Sequence, residues 1–570
     1  MNENKQRELL SDRIKVGPHK WMQRSLMRTA GMTKEEVRRP IIGVIGSWSD
    51  MFPGHMHLDK LAKAVCDGVY MAGGTPVNFS TMCICDGIAM NSFGMKYSLP
   101  SRELIADCVE SLAFAHGFDA MVLVPACDKI VPGMMIGALR VNIPAIVITG
   151  GPSLTAFYKG ERFNGNTLAV IAKKVSEGLA DFSEEEDLEE YGVGGATCGS
   201  CNSMATANSM GCMSEVLGIG VPGNGTVPAP FAERTRMAKY AGMQIMELLD
   251  KDLKPRDIVK RESIRNAIAI DMMLGCSTNT ALHLPAIADA AGVKISLDDF
   301  DEISRVTPQV VKLSPANLTP VEDFYRAGGV QALMKVAIDN KLMDGTMINI
   351  TGLTQSETVK ECEVWDKTVI RPLDDPYSAE GGLFVLKGNL APLGAVIKVG
   401  GVKPEMMVHS GPAKVYNSEA EGFNALVNNE IEHGDVMVIR YEGPKGGPGM
   451  QEMLSLTQAL KSYGYDSDVA LITDGRFSGA SVGGVIGHIS PEAALGGIIG
   501  LIENGDIISY GVPGRTITLE VSDDVLEGRR KTWKVPEPKV KSGWLARYAQ
   551  LSRPVSEGAI IKADIELAKE

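Results

Sequence analysis

Apolar and polar positions follow two different patterns along this chain. Through about residue 150, short runs of consecutive apolar residues (PIIGVIG, PVNFSTMCIC, DAMVLVPA, PAIVITGG) alternate with segments of helical periodicity, HLDKLAKAVCDGVYMAGG and SRELIADCVESLAFAHG. The runs read as buried strands, and the periodic segments as amphipathic helices that stop at glycine. In the second helix Ser101 is expected as the N-cap, with Glu103 in the first turn. Strict alternation of strand and helix predicts a parallel sheet layered between helices, an α/β/α sandwich. Helical patterns dominate from about 202 to 345, and the acidic run SEEEDLEE reads as a solvated helix face. From TVIRPLDDPYSAEGG onward the pattern changes to short runs such as GAVIKVG, DVMVIRYEG, VALITDG, GDIISYG and RTITLEVSD, separated by Gly, Pro and Asp. That is the pattern of a second, β-barrel-like domain. The boundary is expected between about 355 and 380, giving domains 1–365 and 366–570, without an internal repeat.

Composition adds limits rather than detail. A chain of 570 residues exceeds one hydrophobic core, in keeping with two domains. The formal net charge of −13 argues against a nucleic-acid partner. The polar start MNENKQRELL lacks the apolar core of a signal peptide, and no apolar run approaches a membrane span. A cytoplasmic location with no membrane partner is therefore expected. In that setting the ten cysteines are better read as thiols, metal ligands or core residues than as disulfides.

Candidate chemistry gathers where predicted strands end. PACDKIVPGMM places Cys127, Asp128 and Lys129 just after the run MVLV, and CICDGIAM places Cys85 and Asp86 after another strand-like run. Open α/β sheets bind ligands at such strand ends. GGATCGSCNSM adds Cys198 and Cys201 at C-x-x-C spacing, which also suits a zinc site or a redox dithiol. A free cysteine is usually a small core residue, and an Asp before Gly usually shapes a turn. Cys66, Cys108 and Cys212, in helix-like patterns, fit the first description. Two acids beside loop thiols are less easily dismissed. Sulfur ligands select iron or zinc and oxygen ligands magnesium or calcium, so neighbouring soft and hard sites would suit removal of hydroxide from a carbinol. The second domain offers Glu452 in RYEGPKGGPGMQEM and Ser478 in ITDGRFSG. No G-x-S-x-G elbow accompanies Ser478, which fits better as a base than as a triad nucleophile.

The motifs PSRELIADCVE, CDKIVPGM, TCGSCNSMATANSM, GCSTNTALHL, GPAKVY, VIRYEGPKGGPGMQEM and ITDGRFSG together resemble the dihydroxy-acid and 6-phosphogluconate dehydratases, from about residue 14 to 560. The resemblance implies an iron–sulfur cluster plus Mg²⁺, an α/β N-terminal domain, a C-terminal β-barrel and a homodimer. It implies Asp86, Asp128 and Glu452 as Mg²⁺ ligands, joined by Lys129, a carbamate in some relatives. Ser478 would be the base, and Cys127 and Cys201 cluster ligands. Three positions depart from the family pattern. Gly54 stands where relatives with a 2Fe-2S cluster have cysteine, Asn91 stands for a glycine after DGIAM, and Cys276 replaces glycine in the STNT block. With Gly54 in place of that cysteine ligand, the resemblance favours a 4Fe-4S cluster over 2Fe-2S, its third ligand being Cys85 or Cys198, with Cys85 preferred. The activity implied is dehydration of 2,3-dihydroxy-3-methyl carboxylates to 2-oxo acids in valine and isoleucine biosynthesis. A sugar-acid substrate is the alternative within enzymes. A non-catalytic iron–sulfur sensor is the alternative outside them, although a sensor has no use for the acids and Ser478.

Overall fold

In the computed structural model every residue of β1 (Ile41–Gly46) and β3 (Ala120–Val124) is buried. The structure describes residues 9–158, 160–163, 171, 174–175, 178–190, 195–477 and 483–562. With β2 (Thr75–Ser80) and β4 (Ala145–Val147), these two strands form a four-stranded parallel sheet in the order β2-β1-β3-β4. Burial on both faces explains why β1 and β3 read as unbroken apolar runs rather than alternating ones. β5 (Ala156–Tyr158) and β6 (Glu161–Phe163) make a separate antiparallel pair.

Helices Leu58–Met71 and Ala232–Lys251 pack against each other beside this sheet. They cross at Gly68 and Gly242. A Cβ at Gly68 would lie 2.0 Å from the Lys239 carbonyl oxygen, and one at Gly242 2.1 Å from that of Val65. Contact of backbone with backbone is what these two glycines permit. The helix Ser98–His116 starts upstream of the expected cap. Ser101 is buried inside its first turn and donates to the Ser98 carbonyl at 2.6 Å instead of capping an N–H. Pro100 is compatible with the earlier start, because a first-turn N–H has no intrahelical partner to lose.

The second sheet has eight strands: β7 (Leu383–Leu386), β8 (Gly394–Lys398), β9 (Val408–Tyr416), β10 (Val436–Ile439), β12 (Ala470–Thr473), β14 (Val485–Ser490), β15 (Ile507–Gly511) and β16 (Thr516–Leu519). Their order is β16-β15-β9-β10-β12-β14-β8-β7, with β9, β10, β12 and β14 mutually parallel and the outer strands antiparallel. A bridge from Lys387, just past β7, to Thr516 in β16 joins the two edges, so the sheet closes as a barrel. Alternation along its strands is regular. Val436, Val438, Ala470 and Ile472 fill one core with Ile486, Ile508 and Ile517. Met437, Ile439 and Leu471 point the other way, onto Leu426, Leu456 and Leu460. The described residues contain no helix long and apolar enough to cross a membrane.

The halves are joined by buried polar groups as well as by packing. Arg102, fully buried, donates to the carbonyls of Gly558 and Ala559 at 2.7 and 3.1 Å. Arg515 reaches from the barrel to Asp301 and Ser304.

Candidate active site

The parallel sheet reverses its strand order between β1 and β3, and the carboxyl ends of its strands open onto the barrel. Gly54 follows β1, Cys85 and Asp86 follow β2, and Cys127, Asp128 and Lys129 follow β3 directly. Cys127 has a φ of 63°, a left-handed turn that separates strand from the helix Ile130–Val141. The barrel contributes Glu452 from the two-residue strand β11 (Glu452–Met453), which pairs in parallel with β13 (Arg476–Phe477) so that Glu452 lies beside Arg476.

Side-chain oxygens of Asp86, Asp128 and Glu452 lie within 4.8 Å of one another. The ammonium of Lys129, fully buried, stands among them: 2.7 Å from Asp86 Oδ2, 3.5 Å from Glu452 Oε1 and 3.8 Å from Asp128 Oδ2. Ser98 Oγ donates to Asp86 Oδ1 at 2.6 Å, and Asn279 Nδ2 to Glu452 Oε1 at 2.6 Å. Arg476 donates to Glu452 Oε1, to Asn279 Oδ1 at 2.9 Å and to the Met450 carbonyl at 2.6 Å. Burial pushes the Asp128 carboxyl up to about 7, with Asp86 and Glu452 adding to the rise against Lys129. Asp86 goes the other way. Burial raises it too, but Lys129, Arg476 and the hydrogen bonds from Lys129 and Ser98 hold it below the usual carboxylate range.

The thiols lie on the other side of Asp128. Cys127 donates a hydrogen bond to Cys85, which, against burial and with help from the N–H groups of Ile88 and Gly87, brings the Cys85 thiol down to about 7. Cys127 is pushed well up by that same bond and then by burial. Cys201 interacts with both Cys127 and Asp128, and burial pushes its thiol up to about 12. Cys198 stands three residues before Cys201 on the same loop, whose Gly199 carbonyl would lie 3.8 Å from a Cβ at Gly54. Burial raises the Cys198 thiol, against the charge of Lys60. Cys66 and Cys212 lie buried in helices, as core residues do.

The donor sets suit the two groups that the motifs imply. Three carboxylates already gathered around a cation match the hard-oxygen preference of Mg²⁺. Cys85, Cys127 and Cys201 offer sulfur to iron. A Cβ at Gly54 would lie 2.9 Å from Cys127 Sγ, so this position abuts the thiols and its missing side chain leaves them room. Ser478 lies outside the described residues.

Two family models cover most of the chain. The dihydroxy-acid/6-phosphogluconate dehydratase N-terminal model matches residues 39–358, and the C-terminal model of the same family matches 368–559. The chain belongs to the dihydroxy-acid/6-phosphogluconate dehydratase family. Curated relatives named dihydroxy-acid dehydratase include that of Clostridium botulinum (strain Eklund 17B / Type B), 54% identical over 97% of this chain and 100% of that protein. Those of Moorella thermoacetica and Ruminiclostridium cellulolyticum are 52% and 51% identical over the same shares. In this dehydratase fold the sequence motifs led to the acids and thiols but not to their supports. Asn279 and Arg476 stand inside the STNT and TDGRFSG motifs, yet only their contacts with Glu452 reveal what they hold.

Proposed function

We propose that the protein is a hydro-lyase that dehydrates 2,3-dihydroxy-3-methyl carboxylates to 2-oxo acids in valine and isoleucine biosynthesis. One observation carries the reading: an oxygen site built from Asp86, Asp128 and Glu452 adjoins a sulfur site built from Cys85, Cys127 and Cys201. The names of the relatives support the same activity. We assign Mg²⁺ to the three acids, with Lys129 as a further ligand if it is carbamylated as in some relatives, and a 4Fe-4S cluster to the three thiols. The interaction of Cys85 with Cys127 favours Cys85 over Cys198 as the third ligand. When bound, the two groups supply Lewis acidity to the C2 oxygen with its carboxylate and to the departing C3 hydroxyl.

The protein's own contribution is placement and proton transfer. Ser478 takes the proton from C2. Loss of that proton and of the C3 hydroxide leaves an enol, which becomes the 2-oxo acid. Arg476 and Asn279 fix the direction of the Glu452 carboxylate, and Ser98 fixes that of Asp86. The protein acts as a homodimer in this reading, the commonest closed symmetry. Turnover of a branched dihydroxy acid after anaerobic reconstitution with iron, sulfide and Mg²⁺ tests it. Preference for an unbranched sugar acid would overturn the substrate class. Ser478→Ala should keep the visible absorption of the cluster and lose most activity; full turnover in that variant would remove Ser478 from the mechanism.

A further inference from the structure

Asn91 occupies a backbone position that favours glycine. Its φ is 59°, in the left-handed region, where asparagine is among the few other residues that sit without much strain. It does more there than fit the turn. Its side-chain Oδ1 accepts a hydrogen bond from Ser455 Oγ, which belongs to the barrel half. The two residues lie at the far ends of two short segments that start at the acid cluster. Asp86 begins one and Glu452 the other, and both acids contact Lys129. Segments 86–91 and 452–455 therefore meet at both ends, at the acids inside and at Asn91–Ser455 outside.

Between those ends opens a cavity of about 700 Å³ that reaches Glu452. It is lined by Asn91 and Ser455 themselves, by amides such as those of Asn417 and Gln451, and by charged side chains of both signs, Lys96 and Lys539 with Glu419, Glu421 and Glu442. A branched five-carbon acid fills only a fraction of such a space, whereas an unbranched acid with several hydroxyls would find amide partners along it. The Asn91–Ser455 bond lies at the exposed end of this cavity and the buried Glu452 at the other. We propose that the Asn91–Ser455 hydrogen bond is a clasp over the mouth of the substrate cavity and a determinant of specificity that disfavours longer polyhydroxy acids. The proposal rests on the dehydratase reading above.

Two variants separate the clasp from other effects. Asn91→Gly keeps the left-handed turn without strain and removes the acceptor, and Ser455→Ala removes the donor from the other half. A neutral hydrogen bond contributes about a fivefold bias. Each variant should therefore raise kcat/KM for a six-carbon sugar acid, relative to that for the branched dihydroxy acid, roughly fivefold. The double variant should rise no further than either single one, because the two share one interaction. A second readout does not depend on turnover: in hydrogen exchange, Ser455→Ala should speed exchange in segment 86–95 although the change lies in the other half. Ratios within twofold of the unaltered chain, multiplying effects in the double variant, or faster exchange confined to the substituted segment would each overturn the clasp. Failure of the unaltered chain to turn over the branched acid would instead strike the substrate reading on which the clasp rests.

Discussion

Arg476 gives the sharpest test of how the acid cluster is held. It is fully buried and donates to Glu452, Asn279 and the Met450 carbonyl. Without a metal, three carboxylates meet two cations there, Arg476 and Lys129. Arg476→Met keeps much of the volume and removes one cation, leaving Glu452 with Lys129 at 3.5 Å as its remaining charged partner in the cluster. Two unit charges about 4 Å apart attract by ~4 kcal/mol at an effective dielectric constant of ~20. Breaking a buried pair from one side costs ~3–5 kcal/mol, because the other charge stays behind. Metal-free Arg476→Met should therefore lose ~3–5 kcal/mol of stability. Saturating Mg²⁺ restores positive charge at the same carboxylates, so it should stabilise the variant more than the unaltered protein. Arg476→Lys keeps the charge but not the planar fork and should fall between them. Urea-unfolding midpoints of metal-free and Mg²⁺-saturated protein measure all three. A metal-free Arg476→Met within ~0.5 kcal/mol of the unaltered protein, the range of an ordinary surface change, would refute the reasoning. So would a Mg²⁺ stabilisation of the same size in both.

Three further outcomes follow from the structure. Iron and sulfide analysis after anaerobic purification should find the cluster lost in Cys85→Ala and retained in Cys198→Ala; the reverse pattern would move the third ligand to Cys198. Burial pushes His55 down to about 4, against the hydrogen bond to the Ser47 carbonyl, so the folded state disfavours the proton that the unfolded chain binds below about 6.5. That stability is present in full above about 6.5 and is lost as the pH falls toward 4, up to about 3 kcal/mol; urea midpoints from pH 7 to 4 should fall less steeply in His55→Gln, and equal slopes would count against it. Gly68→Ala should lower the melting temperature, because its methyl would meet the Lys239 carbonyl, while Gly528→Ala, in helix Asp523–Thr532 with open space at its Cβ, should gain ~1 kcal/mol; two shifts of the same sign in scanning calorimetry would contradict the close crossing.

The strands of both domains were legible because each is a short apolar run bounded by turn residues. The loops that carry Cys85, Asp86, Cys127 and Asp128 were legible because they follow those runs closely. What the chain order hid is proximity. Gly68 looks like an ordinary helix interruption until Gly242 is found against it. Spacing along the chain does not show that the Cys85 thiol interacts with that of Cys127, 42 positions on. Ser101 resembled a cap because Ser-x-Glu is a good helix start, but Ser98 and Pro100 move the first turn upstream. Asn91 stood out as a departure from the family pattern, while its partner, 364 positions away, did not.

Neither half of the chain holds the acid cluster alone. The sheet half supplies Asp86 and Asp128, and the barrel half supplies Glu452, so the space between the carboxylates depends on how the halves dock. A displacement of even 1 Å there matters more to a metal site than to an apolar core, because ligand distances are set to within a few tenths of an ångström. Arg476 and Asn279 meet this requirement directly: one from each half, they bond each other and both grip Glu452. Arg102 and Arg515 repeat the arrangement farther out, with guanidinium groups that bind carbonyls or an acid across the same boundary. Apolar packing would join the halves with less directional control, since it tolerates sliding at small cost, whereas a buried guanidinium that loses its partners does not. The concentration of buried arginines along the boundary is thus best understood as registration of the acids, with any gain in stability secondary.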